Sequence, residues 1–158
     1  MSVPRIVGGG SFSYATYART EGFHGSPGTV IYWDINGTTR MADQPYRWAA
    51  LVLCQVVDRH ADQLTITTDL GYKAIAGDPP LASRAKLLGH EDAQLILQNE
   101  EHGVFAFTDA HVLPQVGDYM LAIPGHVCPT TIRYPGSYVI DSQGSVVDYY
   151  PHTARDRQ

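Results

Sequence analysis

A chain of 158 residues with 44% hydrophobic side chains is long enough to form one globular core. Its 16 acidic and 11 basic residues give a formal charge of -5 and are scattered, with no basic run or basic-aromatic interleaving to follow a phosphate backbone, so no nucleic-acid partner is expected. No apolar stretch reaches the ~20 residues a bilayer requires, and Met1-Ser2-Val3-Pro4-Arg5 leads into glycines rather than an apolar signal core, so no membrane association and a cytoplasmic location are expected.

In chain order, Arg5 to Val7 is a short apolar run that stops at Gly8-Gly9-Gly10-Ser11, the pattern by which a strand brings backbone amides up to a phosphate. Tyr14 to Arg19 can form a helical turn. Ser26-Pro27-Gly28 then launches Thr29-Val30-Ile31-Tyr32-Trp33-Asp34, where β-branched and aromatic residues predict a strand ended by Asn36-Gly37. Ala49 to Val57 and the alternating Leu64-Thr65-Ile66-Thr67-Thr68 predict a hairpin, with Lys73 to Ala76 continuing the sheet up to Gly77-Asp78-Pro79-Pro80. Short strands are expected at Ala85 to Leu88, Ala93 to Leu97, Gly103 to Phe107 and Tyr119 to Ile123. A last hairpin pairs Tyr138-Val139-Ile140 with Val146 to Tyr149 around Ser142-Gln143-Gly144. Many short strands at this spacing predict a mainly β fold, an antiparallel β-barrel or sandwich-like domain with little helix.

Among residues that carry chemistry, Pro124-Gly125-His126-Val127-Cys128-Pro129-Thr130 stands out. Residues two apart in a strand share a face, so the His126 imidazole and the Cys128 sulfur can converge on one cation. The other reading of the spacing is a core histidine beside a buried cysteine. Two ligands leave a zinc shell incomplete, so a third ligand, or an open position for water or substrate, must come from elsewhere. Asn99-Glu100-Glu101-His102-Gly103 is a second polar cluster, in which His102 is either a general base or part of a solvated turn. Gly9, Gly10 and Ser11 are either a phosphate loop or a flexible turn. His24, His60, His90, His111 and His152 are expected at the surface, and Cys54 and Cys128 are expected as thiols rather than a disulfide. No nucleophile elbow, Cys-x-x-Cys pair, His-Glu-x-x-His helix or Walker-type loop is present, so hydrolase and nucleotide-binding readings lack support.

Six segments in order carry a resemblance: Gly8 to Ser11, Ser26-Pro27-Gly28-Thr29 to Trp33-Asp34, Asp69-Leu70-Gly71-Tyr72-Lys73-Ala74, Glu100 to Gly103, Val116-Gly117-Asp118 and His126 to Thr130. Together they resemble the C-terminal part of fold-type III pyridoxal-phosphate enzymes of the D-threonine aldolase and D-serine dehydratase group. The resemblance implies that residues 1–35 are a remnant of the end of a cofactor-binding (β/α)8 barrel plus a linking strand, and that 36–158 form the D-serine dehydratase-like β domain. It implies Zn2+ or another divalent metal on His126 and Cys128, with Cys128 resembling the His-x-Cys motif of the zinc-dependent dehydratases rather than the His-x-Asp of the aldolases. Pro129-Thr130, by contrast, resembles the aldolase side. It further implies Gly9, Gly10 and Ser11 near the cofactor phosphate and His102 in a supporting catalytic role. Pyridoxal phosphate is expected only with a barrel domain, because Lys73 matches a β-domain position and Lys86 has no motif around it. The implied activity is that of a lyase acting on D-3-hydroxy amino acids, by aldol cleavage or dehydration, or of a racemase. Alone the chain is expected to be inactive, with a pyridoxal-phosphate barrel domain or a homo-oligomer as partner. The alternative is a non-catalytic module that binds a metal or a partner.

Overall fold

A computed structural model describes residues 5–156. Side chains that alternate between the interior and the surface build the central sheet. In β3 (Val52–His60), Val52, Cys54 and Val56 point inward while Leu53, Gln55 and Val57 point away, the period of two that a half-buried strand requires. β3 folds back onto β4 (Thr65–Thr68) as the predicted hairpin, with a register shift between Val56 and Asp58. β5 (Ala85–Leu87), β6 (Gln94–Gln98), β7 (Gly103–Ala106) and β8 (Tyr119–Pro124) complete an antiparallel six-stranded sheet in the order β5-β8-β3-β4-β7-β6. The edge strands β5 and β6 come close, so the sheet curls into a nearly closed barrel. Arg84 spans that seam with a guanidinium N–H donated to Gln98 Oε1 at 3.2 Å. The core inside is Val56, Ile66, Leu70, Ile75, Leu87, Leu95 and Phe105, all essentially inaccessible, and burial of this apolar surface is what holds the sheet curled.

Two smaller pairs flank it. β1 (Ile6–Gly8) pairs in parallel with β2 (Phe23–Gly25) around a four-residue helix α1 (Tyr14–Tyr17), so this corner departs from the antiparallel expectation. At the other end β9 (Gly136–Ile140) and β10 (Val146–Pro151) form the predicted hairpin, a two-stranded ribbon outside the main sheet.

Three sequence expectations are corrected. The run Thr29 to Asp34, expected as a strand and as the strand linking two domains, is a 3-10 turn over Thr29–Ile31 followed by helix α2 (Ile35–Arg40). Trp33 has a φ of 58°, which breaks any extended path. Asp34 caps the helix by accepting from Gly37 N–H at 2.7 Å. Gly37 therefore lies inside a helix rather than ending a strand, and a Cβ there would press on the Trp33 ring. Secondly, Lys73 to Ala76 does not extend the sheet. The amides of Ala74 and Ile75 both reach Gly71 O, making a turn. Thirdly, His126 to Cys128 is not strand. β8 ends at Pro124, and the chain turns into helix α3 (Val127–Thr131) with His126 as its N-cap residue.

Candidate metal centre

The site begins where β8 ends. Gly125 donates its N–H to Arg84 O at 2.7 Å and accepts from Asn36 N–H at 3.2 Å. A Cβ at Gly125 would overlap the Ser83 carbonyl oxygen, so only glycine allows the chain to pass this close. The next residue, His126, is extended at φ -139° and ψ 107°, and Val127 opens α3 with its side chain in the interior. The Val127 N–H donates to Asp34 Oδ2 at 3.0 Å. Asp34, 1% exposed, thus spends one carboxylate oxygen on the first turn of α2 and the other on the first turn of α3, where the helix dipole favours negative charge. The segment before residue 49 is in this way bonded directly between the two candidate ligands.

His126 and Cys128 both line one open cleft of about 850 Å³, together with Tyr72, Gly77, Asp78, Arg84, Gln98, Pro129, Ile132 and Arg133. The imidazole Nδ1 lies 2.6 Å from Asp78 Oδ2. Its Nε2 has no hydrogen-bond partner among the described residues. The Cys128 sulfur is exposed and lies 3.2 Å from the Thr29 hydroxyl. Thr130, buried on the inner face of α3, donates its hydroxyl to His126 O at 2.8 Å and accepts from Ala76 N–H at 3.1 Å. This ties α3 to the loop that carries Asp78. The guanidinium groups of Arg84 and Arg133 give the wall of the cleft a positive character.

The donor set suits a borderline-soft cation: one imidazole and one sulfur, on two residues that line the same cleft. No group of three or more histidine, cysteine, aspartate or glutamate side chains disposed to hold a metal occurs among the described residues, so the pair would leave coordination positions for water or a ligand. Both cysteines are free thiols, as expected, but their environments are opposite. Burial pushes the Cys54 thiol up to about 12, with the Asp69 carboxylate adding to it, and Cys54 donates only a weak contact to Met120 O.

His102 lies elsewhere, exposed in the turn between β6 and β7, with its backbone N–H donated to Asn99 Oδ1 at 2.7 Å. Its ring is not part of the cleft lining. The neighbouring Glu100 and Glu101 hold the Lys73 ammonium at 2.9 and 2.6 Å. Hydrogen bonds to Glu101 and then Glu100 raise Lys73 above the ordinary lysine range, and Lys73 in turn lowers Glu100. Gly71 sits against the Glu100 carbonyl with no room for a Cβ. The Asp69-to-Ala74 and Glu100-to-Gly103 segments quoted above therefore pack on each other. In the glycine turn, Gly9 has a φ of 77° and accepts from Ser26 N–H, Gly10 O accepts from the amides of Ser13 and Tyr14, and Ser11 is buried. Two histidines expected at the surface are half-buried. His152 lies among Ser137 Oγ, Thr131 O and Tyr134 O, fastening the ribbon to the end of α3, and His90 packs edge-on against Phe107.

Residues 49–140 match the family model described as "Putative serine dehydratase domain". The chain belongs to this family. A curated relative, Uncharacterized protein Rv1414 of Mycobacterium tuberculosis, is 35% identical over 68 residues, which are 42% of this chain and 51% of the relative. Among solved structures, a D-threonine aldolase from Filomicrobium marinum superimposes with a TM-score of 0.83 at 21% identity, over 96% of this chain and 40% of that one. D-threo-3-hydroxyaspartate dehydratase from Delftia sp. HT23 superimposes with a TM-score of 0.74 at 21% identity, over 96% of this chain and 45% of that one. The chain thus spans about half the length of the relatives it matches, and these likenesses establish a shared fold. No helix among the described residues is long and apolar enough to cross a membrane.

Proposed function

We propose that this chain is the metal-carrying β domain of a pyridoxal-phosphate-dependent lyase acting on D-3-hydroxy amino acids, with His126 and Cys128 as the ligands of Zn2+ or a similar divalent ion. The observation that carries the reading is the joint exposure of the His126 and Cys128 side chains in one cleft. Support comes from the solved relatives. D-threo-3-hydroxyaspartate dehydratase is also known as two variants, one altered at a histidine and one at a cysteine two residues further on, the latter described in a metal-free form. His126 and Cys128 have that same spacing.

A metal bound here would supply Lewis-acid polarisation of a substrate β-hydroxyl, and pyridoxal phosphate on a barrel domain would supply the electron sink. The chain's own residues present and shield that chemistry. Gly125 and Asp34 fix where His126 and Cys128 point, and Arg84 and Arg133 attract an anionic substrate to the same wall. Residues 1–35, with Gly9, Gly10 and Ser11 near the cofactor phosphate, would be the end of the barrel, and 36–158 the β domain. His102 would have a supporting role from the turn beside Lys73. Lys73 itself is ill suited to hold the aldehyde, because its two carboxylate partners keep it protonated. On this reading the chain alone is inactive, and its partner is a pyridoxal-phosphate barrel domain or a second copy of the chain, in the cytoplasm.

Elemental analysis after zinc loading and desalting tests this. One zinc per chain is expected, and it should be lost in both His126→Ala and Cys128→Ala. A wild-type chain that comes off the column without metal overturns the assignment. The second reading, a non-catalytic metal- or partner-binding module, is favoured by one observation: the mycobacterial relative, of which 68 residues make up 51%, is itself shorter than this chain. An enzyme joined to its barrel would turn over D-serine or D-threonine, whereas a module would bind zinc and never do so.

A further inference from the structure

The proposed ligands each have a partner from a distant part of the chain. Asp78 is 48 positions before His126, and its carboxylate sits 2.6 Å from the ring Nδ1. Thr29 is 99 positions before Cys128, and its hydroxyl sits 3.2 Å from the sulfur. A half-exposed carboxylate beside a histidine is commonly a surface pair worth little, because two mobile side chains must be held in one geometry. This pair differs in that its loop is already tethered. Between residues 72 and 79 four backbone groups bond to side chains from outside the loop. Tyr72 O accepts from Arg133 Nε, Ala74 O from the Tyr134 hydroxyl, and Pro79 O from Arg84 Nε, while Ala76 N–H donates to Thr130 Oγ1. Three of those four partners belong to α3 or the residues just after it, so Asp78 and His126 are carried on segments bonded to one another. Thr29 is held similarly, since Trp33 N–H donates to Thr29 O at 2.6 Å and Ala49 N–H to Tyr32 O at 2.7 Å.

We propose that Asp78 and Thr29 are positioning residues that set the two ligands before any metal arrives, an inference that rests on the metal reading above. A carboxylate only accepts, so the contact requires the hydrogen on Nδ1 and leaves Nε2 with its lone pair available to a cation. Free imidazole does not choose that form by itself. Asp78 makes the choice, fixes the ring plane, and raises the basicity of Nε2 once a cation draws charge from it. At Cys128 a metal-bound sulfur is a thiolate and has no proton to give. The Thr29 hydroxyl must then be the donor, which lowers the energy of the sulfur lone pairs and holds the side chain toward the cleft.

The test uses the full chain in two stages. First, without metal and at a pH where imidazole is neutral, 15N-edited NMR of the His126 ring should show the Nδ1–H tautomer in wild type. Asp78→Ala should lose it, and Asp78→Asn should keep it in part, because the amide oxygen still accepts. Second, zinc affinity by chelator competition should fall about 10–100-fold in Asp78→Ala, with Asp78→Asn between that and wild type. Thr29→Val should weaken affinity by a smaller factor and move the sulfur-to-cobalt charge-transfer band of the Co2+-loaded chain to longer wavelength. An Nδ1–H tautomer unchanged in Asp78→Ala overturns the proposal, as does zinc affinity unchanged in both Asp78 variants. If Asp78→Ala does not fold, Asp78→Asn decides alone. A wild-type chain that shows the tautomer but takes up no metal overturns the metal reading and not the Asp78 contact, so the two failures are distinguishable.

Discussion

The six-stranded sheet and the β9–β10 ribbon are both antiparallel and both rich in Val, Ile and aromatic residues, yet one is closed and the other open. Along β3 the residues alternate between core and surface, whereas every residue of β10 is exposed, including Val146, Val147 and Tyr150. A two-stranded ribbon has no second layer to bury its apolar side chains against. What such a ribbon has is its register and a few anchors, here the Tyr138–Tyr149 ring contact and the hydrogen bonds of His152 to residues on either side of it. Composition alone therefore does not say whether a strand contributes to the core. Contact with a second apolar face does.

Mutations can break or sharpen this contrast. The largest effect should come from Phe105→Ala, which removes a fully buried ring from the barrel core and should cost about 3–5 kcal/mol in denaturant unfolding. Asp34→Ala leaves the amides of Gly37 and Val127 without their acceptor in a buried place and should cost about 2–3 kcal/mol, with Asp34→Asn costing less. Cys54 links the core to pH. Its pKa is raised above the ordinary 9.0 to about 12, so the neutral thiol is favoured by the fold and its contribution is complete below pH 9.0. That contribution should drain away as pH rises towards 12, and an alkaline unfolding curve of Cys54→Ala should lack the corresponding limb. In the native chain a thiol reagent should modify Cys128 at once and Cys54 only after unfolding.

Smaller still should be the Lys73 cluster. Glu100 is lowered, so its contribution is present above the ordinary carboxylate range and is lost as pH falls through the folded value. All three charges are solvent-exposed, so Lys73→Met should change the denaturation midpoint slightly and the change should vanish in high salt. Smallest of all, Val147→Thr on the ribbon should shift stability by less than ~0.5 kcal/mol. A cost there equal to that of Phe105→Ala would mean that the ribbon is buried in the molecule as it exists in solution, and the contrast would fail.

The strands of the main sheet were legible as short apolar or, in β4, alternating runs set between turn residues, as in β3, β4, β7 and β8. Thr29 to Trp33 was misread because β-branched and aromatic residues also occur in a turn, here one that buries only Trp33. The deciding features were the capping carboxylate of Asp34, a local signal that was passed over, and the burial of Trp33 against Tyr46, which has no local signature. His126 and Cys128 were picked out as a pair, but for a strand geometry that does not exist. They reach one cleft because His126 ends an extended stretch and Cys128 lies in the first turn of the helix that follows. Asp78, Thr29, Asp34 and the two arginines were not singled out, since an isolated acid, hydroxyl or guanidinium looks the same wherever it sits.

By itself, the sequence determined the class of fold, the order of most strands and the identity of two candidate ligands, because alternation and residue chemistry are local properties. Which acids and hydroxyls stand behind those ligands, and which apolar strand is left uncovered, was decided only when the barrel curled. Those relations join residues tens of positions apart, and no local pattern encodes them.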